Sequence, residues 1–369
     1  MLYYLFDYIN EIYAPPGFDI FRFLTFRSAL AAITGLFLAL YIGPKIINLL
    51  SKNQIGEAKK ADGPEFHRSK AGTPTMGGII IILSVIVPVL LWGDLKSTYI
   101  ILILAGTVWL SGVGFLDDYL KVVKKFPNGL IARYKLLGQV LIGVAVGSVI
   151  YFSPEFEGIN TLTTVPFLKD INLDLSYLYI PAVVFIVTAT SNAVNLTDGL
   201  DGLAIGVIAI VMIALAILSY ISGNAIYSNY LNIIYLPGAG ELTVFVAALV
   251  GASLGFLWYN SYPAQIFMGD TGSLALGGAF GILAVLIKKE LLIPILGGVF
   301  FMEIISVIIQ RVYFKYTKKK YGEGRRVFKM APLHHHFEMK GLPEPKIVMR
   351  FYIIAIVLAI VSLVSFKVR

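Results

Sequence analysis

The chain has 369 residues, 57% hydrophobic and 14% charged, with a formal net charge of +8 and a mean hydropathy of +0.80. Soluble domains run at roughly 45–50% apolar and about 25% charged, so this balance excludes an ordinary soluble enzyme and a disordered chain, and it argues against a nucleic-acid binder. With no cysteine in the sequence there is no disulfide framework and no thiolate metal site.

In chain order, the first 20 residues carry Asp7, Glu11, Asp19 and the Pro15-Pro16-Gly17 turn. They lack the basic start and cleavage pattern of a signal peptide. Ten apolar stretches follow, at 22–49, 75–92, 98–116, 130–152, 176–194, 203–222, 242–259, 272–287, 291–314 and 348–367. A bilayer core about 30 Å thick needs roughly 20 apolar residues per helix. The runs are continuous rather than alternating, so helices are expected and not a barrel. Enriched glycine and interfacial tyrosine fit such helices. The stretch 153–175 between the fourth and fifth spans is rich in Thr, Asn and Pro, and short alternations there suggest a small hairpin. No internal repeat or separate soluble segment is visible, so 1–369 reads as a single polytopic domain.

The loops orient the bundle. Those after the odd-numbered spans hold 22 of the 30 Lys and Arg residues, leaving eight for the other side. The richer side is expected to be cytoplasmic, with both termini outside. Two of the inner loops carry no Lys or Arg, and these are the ones rich in Asp, Asn and Gly.

Acids near a bilayer are costly and point to function. Asp117 and Asp118 end the third span. Asp198 and Asp201 follow the fifth, within the run Ser191 to Gly202. Asp270 follows the seventh, within Asn260 to Ser273. All five fall on the cytoplasmic side of the expected topology. Hard cations such as Mg²⁺ take carboxylate oxygens and share coordination with phosphates. Gly-rich helix starts offer N–H groups to anions. Lys70, Lys121, Lys124 and Lys125 can neutralise phosphate. Together these suggest metal-assisted phosphoryl transfer at the membrane face.

The last basic loop holds His334, His335 and His336. Adjacent side chains on a helix point about 100° apart, so all three cannot face one zinc ion. Phosphate contact or proton transfer is the better reading. Each feature also has a plainer explanation. The acid pairs could be helix-end charges, and the glycines ordinary turns. Lys318-Lys319-Lys320 with Arg325-Arg326 reads as a lipid-headgroup patch. Gln310 and Glu303 could simply hold helices together.

Five segments carry a resemblance. They are Lys70 to Gly78, Phe115 to Asp118, Asn192 to Gly202, Phe267 to Ser273, and Pro332 to Glu338. In order and content they resemble the phospho-N-acetylmuramoyl-pentapeptide transferases, within the polyprenyl-phosphate N-acetylhexosamine-1-phosphate transferases. The resemblance implies that undecaprenyl phosphate attacks the β-phosphate of UDP-MurNAc-pentapeptide, giving lipid I and UMP with Mg²⁺ required. It implies a bacterial inner-membrane enzyme of peptidoglycan synthesis, and it suggests a homodimer.

By the same resemblance Asp117, Asp118, Asp270 and His335 are catalytic. Asp270 is the foremost metal ligand, with Asp117 and Asp118 beside it. Asp117 is either a base or a group that positions the nucleophile. Lys70 and Lys121 would hold phosphates, and Thr75 would contact the substrate. Asn192, Asn195, Asp198, Gly199, Leu200, Asp201 and Asn260 would contact the nucleotide sugar, and Phe267 would stack on uracil. Gln310, His334, His335 and His336 would reach the diphosphate or sugar. The rivals are a GlcNAc-1-phosphate transferase, against which the triple histidine argues, and a secondary transporter, whose site would lie at the midplane of repeated halves.

Overall fold

A computed structural model describes residues 1–52, 70, 72–126, 128–168 and 171–367. Most of the first basic loop, with Lys59, Lys60, His67 and Arg68, lies outside the described residues, as do Lys169 and Arg369. Helices dominate: α1 Leu2–Tyr13, α2 Leu24–Lys52, α3 Gly78–Trp92, α4 Thr98–Asp118, α5 Ala132–Phe152, α6 Tyr179–Thr197, α7 Leu203–Ser222, α8 Ala225–Tyr230, α9 Leu242–Asn260, α10 Gly269–Leu286, α11 Ile293–Leu296, α12 Gly298–Tyr321, α13 Leu333–Glu338 and α14 Glu344–Val364.

Among the described residues eight helices are long and apolar enough to cross a membrane, or nine with one bent pair. The expected ten differ from this at two places. The stretch 75–92 forms only the 15-residue α3, about 22 Å long at 1.5 Å per residue and short of the bilayer core. The stretch 291–314 is not one rod. Glu290–Leu296 and Gly298–Tyr321 meet at 80°. Pro294 and the Gly297-Gly298 pair lie at the break, where a helix bends most cheaply.

The core sits around α10, 89% of whose apolar window is buried. Helices α4 and α6 pack along it, while α2 packs along α9. Close approach there depends on residues without side chains. A Cβ on Gly251 of α9 would lie 2.0 Å from the Ala32 carbonyl of α2.

The hairpin forms as β1 (Leu162–Thr164) and β2 (Asn172–Asp174), antiparallel, with Thr163 opposite Leu173. It is anchored on buried charge. Lys288 Nζ donates to the Asn160 carbonyl at 2.6 Å and to the Tyr179 hydroxyl at 2.8 Å. Lys289 Nζ donates to Thr164 Oγ1 at 3.0 Å, and Glu290 accepts from Thr163. Burial pulls the Lys288 ammonium down to about 8, against the opposing charge of Glu290. Arg27 is buried too, paired to Glu241 at 2.5 Å. Three of the eight basic residues counted for the outer side are therefore interior groups with partners rather than loop charges.

Candidate active site

The loop ends opposite the hairpin bring the acids together. Asp117 and Asp118 close α4, and Asp270 lies in the first turn of α10. One carboxylate oxygen from each falls within 4.8 Å of the others. The approach is tight, because a Cβ on Gly114 of α4 would sit 2.1 Å from the Asp270 carbonyl. Gly269 enters α10 at φ +72°, a left-handed conformation that suits glycine.

The three acids have different partners. Asp118 caps α10. Its Oδ2 accepts from the Thr271 N–H at 2.8 Å and the Thr271 hydroxyl at 2.6 Å, and its Oδ1 accepts from the Asp270 N–H at 3.1 Å. Such a cap satisfies helix donors that would otherwise be orphaned. Asp117 is fully buried and accepts from the Leu130 N–H at 2.7 Å through Oδ1. Its Oδ2 pairs with Lys121 and, at 2.9 Å, with Lys135. Asp270 Oδ2 pairs with Lys135 at 2.5 Å and Lys121 at 3.4 Å. Asp270 Oδ1 accepts from Asn195 Nδ2 at 2.9 Å, and Asn195 also donates to Ser273 Oγ at 2.7 Å. Two lysines thus bridge two carboxylates, leaving the trio one negative charge in excess. Carboxylate oxygens at this spacing suit one hard divalent cation that keeps water or phosphate oxygens in its remaining positions.

A second cluster surrounds Asp201. Lys70 Nζ donates to Asp201 Oδ1 and Glu344 Oε1, each at 2.6 Å. Burial lowers the Lys70 affinity for its proton, but the two carboxylates outweigh it and raise it above the usual lysine value. Asp201 Oδ2 accepts from the Ala264 N–H at 2.9 Å. Asn260 holds the same turn, accepting from the Gly202 N–H at 3.1 Å and donating to the Ile266 carbonyl at 2.8 Å. Phe267 is partly exposed and tied through its backbone to Pro74 and Gly77 at 2.8 Å. That strand-like contact sets Thr75 beside Gly269. Asn192 turns away from the acids to Gln139 Oε1 at 2.9 Å. Leu200 is buried, while Asp198 and Gly199 are partly exposed. Lys124 lies over Tyr119 rather than in the acid trio.

The histidines divide three ways. His334 is buried and its N–H donates to Glu303 Oε1 at 3.2 Å. Burial pushes its imidazole below the ordinary histidine range, so it is neutral near pH 7. Its Nε2 would lie 2.3 Å from a Cβ on Gly199, so α13 packs directly on the Asn192–Gly202 loop. His335 Nδ1 meets Glu338 Oε2 at 2.6 Å. His336 Nδ1 accepts from the Lys329 N–H at 3.1 Å. Gln310 does not point at the acids. Its amide accepts from the Val327 and Phe328 N–H groups and donates to the Phe328 carbonyl, each at 3.0 Å.

Sequence reasoning missed Lys135, Glu344 and Thr271, and it left Glu303 without a role. Lys135 stands two residues beyond Arg133 at the start of an apolar span, where basic residues are common, so nothing in the sequence singles it out.

Comparisons with known proteins show the family. A model of glycosyl transferase family 4 matches residues 100–288. Phospho-N-acetylmuramoyl-pentapeptide-transferase signature 1 matches residues 70–82. The chain is 53% identical to the phospho-N-acetylmuramoyl-pentapeptide-transferase of Chloroherpeton thalassium over 369 residues, covering all of both chains. It is 54% identical to that of Salinibacter ruber and 48% identical to that of Flavobacterium psychrophilum, again with full coverage of both. With the signature and the full-length relatives in agreement, the chain belongs to the phospho-N-acetylmuramoyl-pentapeptide-transferase family.

Proposed function

We propose that this membrane enzyme transfers phospho-MurNAc-pentapeptide from UDP-MurNAc-pentapeptide to undecaprenyl phosphate, forming lipid I and UMP for peptidoglycan synthesis. The observation that carries the reading is the trio of Asp117, Asp118 and Asp270 within 4.8 Å, braced by Lys121 and Lys135. It joins the loops after α4 and before α10, where a lipid phosphate arriving in the membrane plane can meet a soluble nucleotide.

An oxygen of the lipid phosphate attacks the β-phosphorus of the donor. The bond from that phosphorus to the bridging oxygen breaks, and UMP leaves with the electron pair. A phosphate monoester is largely ionised near neutral pH, so the attack needs positioning more than a strong base. Mg²⁺, held by Asp270 with Asp117, would neutralise the charge that develops on the pyrophosphate oxygens. Asp118 keeps the N-terminus of α10 in place beneath them. Lys121 and Lys135 exchange carboxylate oxygens for phosphate oxygens and act as point charges. Asn195 orients Asp270. Lys70, Thr75, Asp198, Asp201, Asn260, Gly199 and Leu200 form the nucleotide side, Phe267 stacks on uracil, and His335 faces the diphosphate. Asn192, Gln310, His334 and His336 support those groups from behind.

The positive-inside count supports a single polytopic domain of ten spans in the bacterial inner membrane, with both termini outside and these loops in the cytoplasm. In that arrangement α3 is the shortest span and α11–α12 a bent one, and the assembly is a homodimer.

The test is UMP release by the purified protein in detergent with undecaprenyl phosphate and MgCl₂. Release from UDP-MurNAc-pentapeptide and not from UDP-GlcNAc is the expected result. Release from UDP-GlcNAc alone would assign the chain to the sister reaction, and release from neither would refute transfer.

A further inference from the structure

Away from the acid trio, the last helix reaches the loop that follows α6. Glu344 opens α14 directly after Pro343, and its side chain is about one-tenth exposed. Its Oε1 accepts from Lys70 Nζ and from the Asp201 N–H, each at 2.6 Å. The same ammonium donates to Asp201 Oδ1 at 2.6 Å. One carboxylate therefore fixes Asp201 twice, through its main chain directly and through its side chain by way of Lys70.

Two turns further along α14, the Tyr352 hydroxyl donates to the Gly202 carbonyl at 2.7 Å. The hydroxyl fits because Gly206 has no side chain, since a Cβ there would lie 2.1 Å from its oxygen. Between the two, Phe351 packs edge-on against Phe337 of α13, with ring centroids 6.3 Å apart. The last helix thus grips the Asp201-Gly202 turn and also braces the histidine helix, whose His334 packs on Gly199 of the same loop.

Helix packing alone does not call for Glu344. Ile347, Val348, Phe351 and Ala355 are already buried on α14, which packs along α7. Gathering two carboxylates around one ammonium carries a desolvation cost that a further apolar contact would avoid. What the carboxylate adds is direction. An ammonium has three donors. Two of those on Lys70 are spent on Glu344 and Asp201, which aims the third. A binding group held by such a supporting contact meets its ligand already arranged. We infer that Glu344 is a positioning residue for the donor nucleotide, setting the Lys70 ammonium and the Asp201 turn in the arrangement the nucleotide meets, with Tyr352 as the second hold on that turn. The inference rests on the nucleotide side proposed above.

The experiment measures KM for UDP-MurNAc-pentapeptide, KM for undecaprenyl phosphate and kcat in detergent at saturating MgCl₂, with Kd for UMP by calorimetry. Removing one partner of a charge-assisted hydrogen bond costs roughly ten- to a hundredfold in affinity, so Glu344→Ala should raise the donor KM and the UMP Kd about 30-fold. Glu344 acts on binding rather than on the reacting phosphates, so kcat should stay within about threefold and the lipid KM within about twofold. A general loss of packing would move all four. On a Lys70→Gln background Glu344→Ala should add less than about fivefold, because its effect passes largely through that ammonium. Glu344→Gln keeps an acceptor and Tyr352→Phe deletes one oxygen. Each should raise the donor KM about three- to tenfold and leave the lipid KM unmoved, which supplies the test if the alanine protein does not fold.

Unchanged donor KM and UMP Kd in folded Glu344→Ala protein would overturn the inference. Equal rises in KM for both substrates, fully multiplying losses on the Lys70→Gln background, or no rise with either milder variant would overturn it as well. No UMP release from UDP-MurNAc-pentapeptide by the unaltered protein would instead refute the underlying donor assignment.

Discussion

Lys135 bridges Asp117 and Asp270 at 2.9 and 2.5 Å and is only about one-fifth exposed. Removing its charge takes away a cation able to pair with phosphate and leaves two close carboxylates with one bridging lysine. Lys135→Gln should lower kcat/KM for UMP release by about 100-fold, or roughly 2.7 kcal/mol. Steady-state assays at saturating Mg²⁺ check this, and activity within threefold of normal would remove Lys135 from the site. The acids were legible in sequence because an Asp near an apolar span stands out by its cost. Lys135 was not, because a basic residue flanking a span is ordinary for the cytoplasmic side. Only the packing of α5 near α4 and α10 turns it inward. Asn192 lies among the motif residues but away from the acids. It sits in a site-like motif yet spends its amide on Gln139 and the Thr188 carbonyl.

At the scale of elements, Glu303 connects the bent helix α12 to the histidine helix α13. It is fully buried and accepts from the His334 N–H at 3.2 Å. Glu303→Gln keeps an acceptor and should cost less than about threefold in activity. Glu303→Ala leaves a buried N–H unpaired, at a cost of about 1–3 kcal/mol. It should loosen α13 from Gly199 and raise KM for the nucleotide donor more than it lowers kcat. Equal effects of the two substitutions would argue against the hydrogen bond as the link. Eight of the ten expected spans were readable from hydropathy alone, as was the hairpin from its alternation. The 80° break between α11 and α12 was not, because an apolar run looks continuous whether or not its helix is. The lysine and glutamate under the hairpin were invisible for a related reason. Their burial depends on β1 folding back over the end of α10.

Across the whole molecule, α10 runs from Asp270 to the hairpin anchor, about 27 Å by its 18 residues. The acid trio and the hairpin therefore mark opposite faces. The absence of native cysteine makes this testable without a prior mutant background. In intact cells a membrane-impermeant maleimide should label Asn172→Cys on the hairpin, and should label Lys124→Cys only after permeabilisation. The reverse pattern would invert the topology. The central claim is that the fold exists to present one metal-dependent phosphosugar-transfer site at its inner face. Its most direct measurement is UMP release from UDP-MurNAc-pentapeptide and undecaprenyl phosphate, titrated with MgCl₂, for the unaltered protein and for Asp270→Asn. The account predicts Mg²⁺-dependent release by the first and a loss of about 1,000-fold or more, roughly 4 kcal/mol, by the second at every Mg²⁺ concentration. Near-normal release by folded Asp270→Asn protein would contradict it.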